Sequence, residues 1–429
     1  MKSDFIRDFL SVASSRFSIL FFGLIKSIIL ARYLGPEKNG VIATLSLYPS
    51  LFMSIGSLGI SQAVTYFVGK KLYGLDEIKN SVVQIWIVTS IFCTITCFFL
   101  IRYFSNVGDD YLLLILAIIP IYSNLFITYN QGLFLGQNRI SEYNQINWLP
   151  NLLMLLSTIL FVLVIKWDVA GAMLALVPGP VLMMLLLRHK NFRGFSIKTK
   201  INYILIKKML SLGIIYAVSL VVINLNYKMV ILLLDKYSNN YEVGIYSKGA
   251  QLIEYMWQIP MLLSTIVFAR SATSKNDRAF SLKVVQLLRL SFIVVSAGLI
   301  LVYFLSPFIV DVLFGNSFGS SAIIMRTLLP GVLLMTIYKV LNMDLAGKGK
   351  PWVALFAMIP ALFLNVIISY LLIPKLGAEG GAIAATCSYS LAAVLFMIKY
   401  LQTTGLSFRE VFVLRKSDFQ PILNRLKRK

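Results

Sequence analysis

Twelve apolar runs, each closed by charge or by a proline and glycine cluster, constrain this chain more than any other feature. They lie near residues 9–30, 41–68, 81–101, 111–133, 146–165, 169–187, 209–234, 244–269, 284–310, 322–343, 352–373 and 380–400. In a helix rising about 1.5 Å per residue, roughly 20 residues cross the ~30 Å hydrocarbon core of a bilayer. Across 429 residues the charged share is 14% and the hydrophobic share 58%, whereas soluble domains carry about 25% charge. The fold class expected is an all-α polytopic membrane protein with twelve transmembrane helices.

Cations fix the orientation, because cytoplasmic loops carry the excess of Lys and Arg. With the N-terminus inside and Lys399 counted with the tail, 27 of the 40 fall in inside segments, 6 in outside loops and 7 within spans. The topology is therefore N-in and C-in. The inside charge is densest at 188–208 and in the tail, which ends in Arg425, Lys427, Arg428 and Lys429. With Phe408, Val411, Phe419, Leu423 and Leu426 beside those cations, the tail suits either an anionic lipid surface or a solvated segment. The net charge of +22 does not indicate nucleic acid, since it sits between apolar runs and not on a soluble basic face.

Two internal coincidences indicate a repeat. At a displacement of 210, Pro120 matches Pro330, Pro150 matches Pro360, and Gly171-Ala172 matches Gly381-Ala382. At 204, Leu30 matches Leu234, Tyr33 matches Tyr237 and Gly40 matches Gly244. Each half holds six spans, so both halves start on the cytoplasmic side and the repeats are parallel. The division expected is a first lobe at 1–190, a basic linker at 191–208, a second lobe at 209–400 and a basic tail at 401–429.

Seven cations and one carboxylate, Glu254, lie within the spans. Charge at membrane depth is costly and usually faces protein or a watery cavity. Lys26, Lys228, Lys248, Arg326 and Lys339 stand near enough to span ends for their long side chains to reach water. Arg16 and Glu254 are deeper. Such a cationic surplus suits an anionic cargo, above all a diphosphate held by several Arg and Lys groups. Asn224 and Asn226, with Asn124, Asn130, Gln131 and Asn365, suit either contacts to sugar hydroxyls or hydrogen bonds between helices.

Signatures of an enzyme are lacking. Gly347-Lys348-Gly349-Lys350 has no glycine five residues before its Gly-Lys pair and follows no strand. His189 sits in the basic middle loop. Cys93, Cys97 and Cys387 lie in apolar spans without disulfide or zinc spacing, so neither a metal nor a cofactor is expected. The first run lacks a small-residue cleavage pattern and is too long for a signal peptide.

The loop Arg32-Tyr33-Leu34-Gly35-Pro36-Glu37 with Gly40 resembles the signature of Wzx-type polysaccharide biosynthesis flippases. So do Glu242-Val243-Gly244-Ile245-Tyr246-Ser247 and Leu376-Gly377-Ala378-Glu379-Gly380-Gly381-Ala382. The superfamily also holds multidrug and toxin extrusion transporters and lipid II flippases. The resemblance implies two six-helix lobes forming a V, and transfer of an undecaprenyl-diphosphate-linked oligosaccharide across the bacterial inner membrane for O-antigen or capsule synthesis. Membrane lipids and other polysaccharide assembly proteins would be its partners. Cavity-lining basic residues on helices 1 and 8 of lipid II flippases would correspond here to Arg16, Lys26 and Lys248. Two other functions stay open: an ion-coupled exporter of small molecules on the same fold, and a membrane-bound glycan polymerase.

Overall fold

The computed structural model describes residues 2–193, 201–258, 261, 267, 271, 276–350, 352–413 and 418. Residues 194–200 of the expected linker and, in the tail, Phe419, Leu423, Arg425, Leu426, Lys427, Arg428 and Lys429 lie outside that set. Every regular element among the described residues is helical: α1 (Lys2–Gly56), α2 (Ile60–Gly69), α3 (Leu75–Phe104), α4 (Tyr111–Gly136), α5 (Ile140–Asn147), α6 (Leu149–Thr158), α7 (Asp168–Leu174), α8 (Pro178–Phe192), α9 (Tyr203–Tyr237), α10 (Asn240–Glu254), α11 (Asp277–Phe314), α12 (Ser321–Gly347), α13 (Val353–Thr404) and α14 (Phe408–Phe412).

The 55 residues of α1 would reach about 80 Å if straight, more than twice the hydrocarbon core. They are not straight. Gly35 breaks the helix at φ 71° and ψ 179°, a conformation open to glycine and strained for other residues. Pro36 then restarts it, at a position where its missing N–H is no loss. Carbonyls released by the break are recovered by buried Asn39, whose Nδ2 donates to Leu30 O and Gly35 O at 2.7 Å each. The motif around Gly35 is thus a self-capped turn between the first and second spans. Gly377 makes the corresponding break in α13 at φ 55° and ψ −131°.

Nine helical stretches among the described residues are long and apolar enough to cross a membrane. Two of them, 11–69 and 353–404, each contain two expected spans joined at Gly35 or Gly377, and the eighth span lies partly outside the described residues. Eleven of the twelve expected spans are thus found among the described residues. Phe17, Tyr103, Phe304 and Phe308 are widely exposed on these helices, as a bilayer-spanning segment allows. The fifth span contains a π-helical turn, Ile159–Val164, and the repeat-related Pro120 and Pro330 both sit within helices, α4 and α12.

The chain forms two compact units, residues 1–244 with 313–318, and residues 245–312 with 319–429. In unit 1, α9 runs antiparallel to the second part of α1 and to α2. Asn224 meets Ser54, Asp235 meets Tyr48, and a Cβ on Gly59 would lie 2.1 Å from Gly213 O. The seventh span therefore packs within unit 1, although by sequence it opens the second repeat. The core of unit 1 includes Leu45, Ile60, Leu125, Tyr129 and Phe134, with Tyr129 OH donating to Gly56 O at 2.5 Å. In unit 2, Trp257 Nε1 donates to Val332 O at 3.1 Å, and Tyr338 packs on Phe396 at 4.9 Å between ring centres.

Polar contacts sort by membrane side as the charge count requires. Lys38–Asp168 joins two outer loops, and Lys190–Glu142 and Lys208–Tyr73 join inner ones.

Candidate functional site

Unit 1 holds Arg16, Lys26, Asn224, Asn226 and Lys228. Arg16 and Lys26 are ten residues apart on α1, about 15 Å along the axis and within a quarter turn of each other. Both are half-buried. Gly23 follows Arg16 by seven residues, on the same face, and a Cβ there would meet nothing within 4 Å. The helix face between the two cations is open. On α9, Lys228 is also half-buried. Neither Lys26 nor Lys228 makes a hydrogen bond or ion pair among the described residues. Asn226 is fully buried, and Asn224 Nδ2 donates to Ser54 Oγ at 3.0 Å, a hydrogen bond between helices. Two asparagines of the fourth span bond within their own helix: Asn124 Nδ2 reaches Pro120 O and Asn130 Nδ2 reaches Phe126 O.

Unit 2 holds Lys248, Glu254, Arg326 and Lys339. Lys248 is 7% exposed on α10, and Glu254, half-buried, ends that helix. Lys339 Nζ lies 4.2 Å from the centre of the Trp257 ring, a cation–π contact. Arg326 Nε donates to Tyr303 O at 3.0 Å and Ser306 Oγ at 2.9 Å, which engages it in holding α12 to α11.

The seventh embedded cation is Arg289, and it has a partner that sequence order hides. Asp418, 129 residues away, takes Arg289 Nε at 2.8 Å and Nη2 at 2.6 Å, while Glu410 O accepts from Nη1 at 2.5 Å. Both side chains are buried. This pair offsets one charge of the surplus and anchors the tail to α11. Asp418→Ala would strand a buried guanidinium, a change that costs about 3–5 kcal/mol. The expected result is a lower thermal unfolding midpoint, recovered in part by the double variant Arg289→Met with Asp418→Leu.

Two carboxylates just beyond the span limits are buried as well. Asp344, 0% exposed, accepts from Ser271 Oγ at 2.7 Å, Ser281 Oγ at 2.7 Å, Tyr400 OH at 2.8 Å and Lys348 Nζ at 3.0 Å. Lys348 also donates to Ser281 Oγ and to Asp277 O. The glycine–lysine motif at 347–350 is thus structural, tying three inner segments of unit 2. The i, i+4 spacing of Asp344 and Lys348 was the one sequence signal of this pair. Asp235, 1% exposed, accepts from Tyr48 OH at 3.2 Å, and its backbone carbonyl accepts from Asn106 Nδ2. Thr44 and Ser105 interact with the carboxylate, although its Oδ1 makes no well-aligned hydrogen bond. Among the described residues no three His, Cys, Asp or Glu side chains gather as a metal site would require.

At the outer end of unit 1 the two repeat motifs meet directly. A Cβ on Gly40 would stand 1.7 Å from Asn240 O, and a Cβ on Gly244 would stand 1.9 Å from Pro36 O. Pro36 and Asn240 are themselves separated by 204, as are Gly40 and Gly244. The contact is reciprocal, and the displacement found in the sequence is its register. Arg32 Nε adds a hydrogen bond to Leu313 O at 3.2 Å.

A sequence profile described as polysaccharide biosynthesis protein matches residues 29–323, which include this motif pair. The chain belongs to that family. No curated protein sequence matches it. Among solved structures it is similar to the lipid II flippase MurJ in an inward closed conformation, with a TM-score of 0.78 and 15% identity over 97% of this chain and 95% of that one. An inward-facing MATE family multidrug resistance transporter of the MOP superfamily gives a TM-score of 0.70 and 16% identity over 90% and 94%. A MOP superfamily transporter from Pyrococcus furiosus gives 0.65 and 16% over 94% and 96%. At these identities the likeness is one of fold. It places this polysaccharide biosynthesis protein in the twelve-helix architecture of flippases and transporters.

Proposed function

We propose that this protein is a flippase that carries an undecaprenyl-diphosphate-linked oligosaccharide from the cytoplasmic to the periplasmic leaflet of a bacterial inner membrane, for surface polysaccharide synthesis. The observation that carries this reading is the pair of half-buried ammonium groups, Lys26 and Lys228, without a protein partner among the described residues, on helices that also bear Arg16 and an open face at Gly23. Buried cations need compensation, and a diphosphate supplies it with several acceptor oxygens. Glycan and diphosphate would move through a protein-lined path while the polyprenyl chain stays in lipid, which avoids the cost of stripping water from the headgroup. Alternating access, with the path open first to one side of the membrane and then to the other, would provide the transfer. Lys248, Glu254 and Lys339 are proposed as substrate-binding groups of unit 2.

The test is leaflet sidedness of a labelled lipid-linked glycan in vesicles containing the purified protein. Transfer no faster than in protein-free vesicles would end this reading. Lys26→Gln and Arg16→Gln should each lower transfer roughly 10- to 100-fold, the worth of about 1.5–3 kcal/mol for a hydrogen bond to a charged group, with unchanged insertion.

A second reading, an ion-coupled exporter of small molecules, draws support from Asp235, a buried carboxylate whose Oδ1 makes no well-aligned hydrogen bond. A proton or a cation there would complete it. Transport of small cationic dyes that stops when the proton and sodium gradients are collapsed, with no glycan transfer, would favour this alternative.

A further inference from the structure

A cavity of about 420 Å³ opens at the inner end of unit 1, where α2 and α4 finish and α3 begins, and its walls include Val68, Lys71, Tyr73, Ile78, Gln137 and Asn138. It shares none of the residues assigned above to the transport path. Its chemistry is divided. Val68 and Ile78 supply an apolar wall, while Lys71, Gln137 and Asn138 supply an ammonium and two amides. Lys208 is not part of the wall but holds a second ammonium against its Tyr73, donating to Tyr73 OH at 2.8 Å and lying 5.5 Å from the centre of that ring. Asp76 and Glu77 are the nearby acids in sequence; both are exposed, and Asp76 is turned toward Lys79 at 3.9 Å.

The backbone adds an independent observation. Helices α2 and α4 both end in a Schellman turn, with Leu72 N donating to Phe67 O and Arg139 N to Phe134 O. Glycine is the residue favoured at the left-handed position of such a turn. Here those positions are Lys71, φ 53°, and Asn138, φ 59°, two of only five described non-glycine residues with positive φ. Lysine held in this region costs about 1 kcal/mol or more, asparagine less, and strain of that kind collects at binding sites. Both residues line the one cavity.

We propose that this cavity binds the headgroup of an anionic phospholipid from the cytoplasmic leaflet. Its phosphodiester would meet Lys71 and Lys208, its hydroxyl-bearing end the amides of Gln137 and Asn138, and its glycerol the apolar wall. The cavity lies on the cation-rich side of the membrane, where anionic lipid is held by clustered Lys and Arg.

Native mass spectrometry of the full chain, titrated with phosphatidylglycerol or phosphatidylcholine, tests this. Phosphatidylglycerol should be retained about tenfold more strongly than phosphatidylcholine. Lys71→Gly is the deciding variant, since glycine suits the left-handed turn while the side chain that carries the ammonium is lost. It should unfold at the same temperature as wild type or higher, yet lose about tenfold in phosphatidylglycerol retention, whereas Lys71→Arg should keep it. Inorganic phosphate at millimolar concentration should displace little lipid; displacement as complete as by excess phosphatidylglycerol would mean a free-phosphate site and overturn the assignment. Equal retention of the two lipids, or retention unaffected by Lys71→Gly together with Lys208→Ala, would overturn it too.

Discussion

Gly40→Leu is expected to open the outer end of unit 1 and stop transfer. A Cβ at position 40 already falls 1.7 Å from the Asn240 carbonyl oxygen, so no rotamer relieves the clash and backbone must move. Overpacking of this kind costs about 1–3 kcal/mol, occasionally more, which shifts an equilibrium about 5- to 150-fold. A reporter lies one helical turn away: Thr44 is fully buried, and in a Thr44→Cys background it should resist a membrane-impermeant maleimide. Adding Gly40→Leu should raise the labelling rate at least tenfold. Gly244→Leu should do the same, because its Cβ would stand 1.9 Å from Pro36 O. If labelling is unchanged in both, the outer contact is not what shields Thr44. Gly298→Ala is the control, since its Cβ meets nothing within 4 Å and transfer should be preserved.

Asp344→Ala should lower the stability of the protein by about 3–5 kcal/mol, the usual result of removing one partner from a buried ion pair. Lys348 would be left with a charge in a nearly closed site, 6% exposed at its side chain, and Ser271, Ser281 and Tyr400 would each lose an acceptor. The comparison that isolates the charge is the double variant Asp344→Leu with Lys348→Met, which removes both ions and keeps apolar volume. It should recover much of the loss in a thermal unfolding series in detergent. A single variant as stable as wild type would show the pair to be energetically idle.

The helices were legible because their signal is long and redundant: twenty apolar residues outvote a cation such as Arg16 or Lys26. The turns were legible as composition, Gly35-Pro36 and Gly377, although not as the kinked continuity that joins two spans into α1 and into α13. Register between repeats was legible from Gly40 and Gly244, since close approach of two backbones excludes every other residue type. Pairing was not. Arg289 reads as one more cation in a span until Asp418 arrives from 129 residues away, and Asp344 stands one residue past the span limit, so a hydropathy boundary assigns it to water. The grouping of α9 with unit 1 was hidden for the same reason, because Asn224 and Asp235 find Ser54 and Tyr48 only in three dimensions. Candidate site residues were legible as charges at depth, and which of them already had work to do, as Arg326 does, was not.

The reciprocal contact at the outer end sets different rules for its two kinds of position. Each glycine faces a carbonyl oxygen, an atom that every residue carries. In a chain assembled from two equal halves, a side chain gained at the glycine position would have collided twice, once in each copy, whereas a change at the oxygen position would have cost nothing in either. Today the glycines are still the same residue, Gly40 and Gly244, and the positions that present the oxygens have become Pro36 and Asn240. The freedom to diverge was distributed by which atom each position lends to the contact.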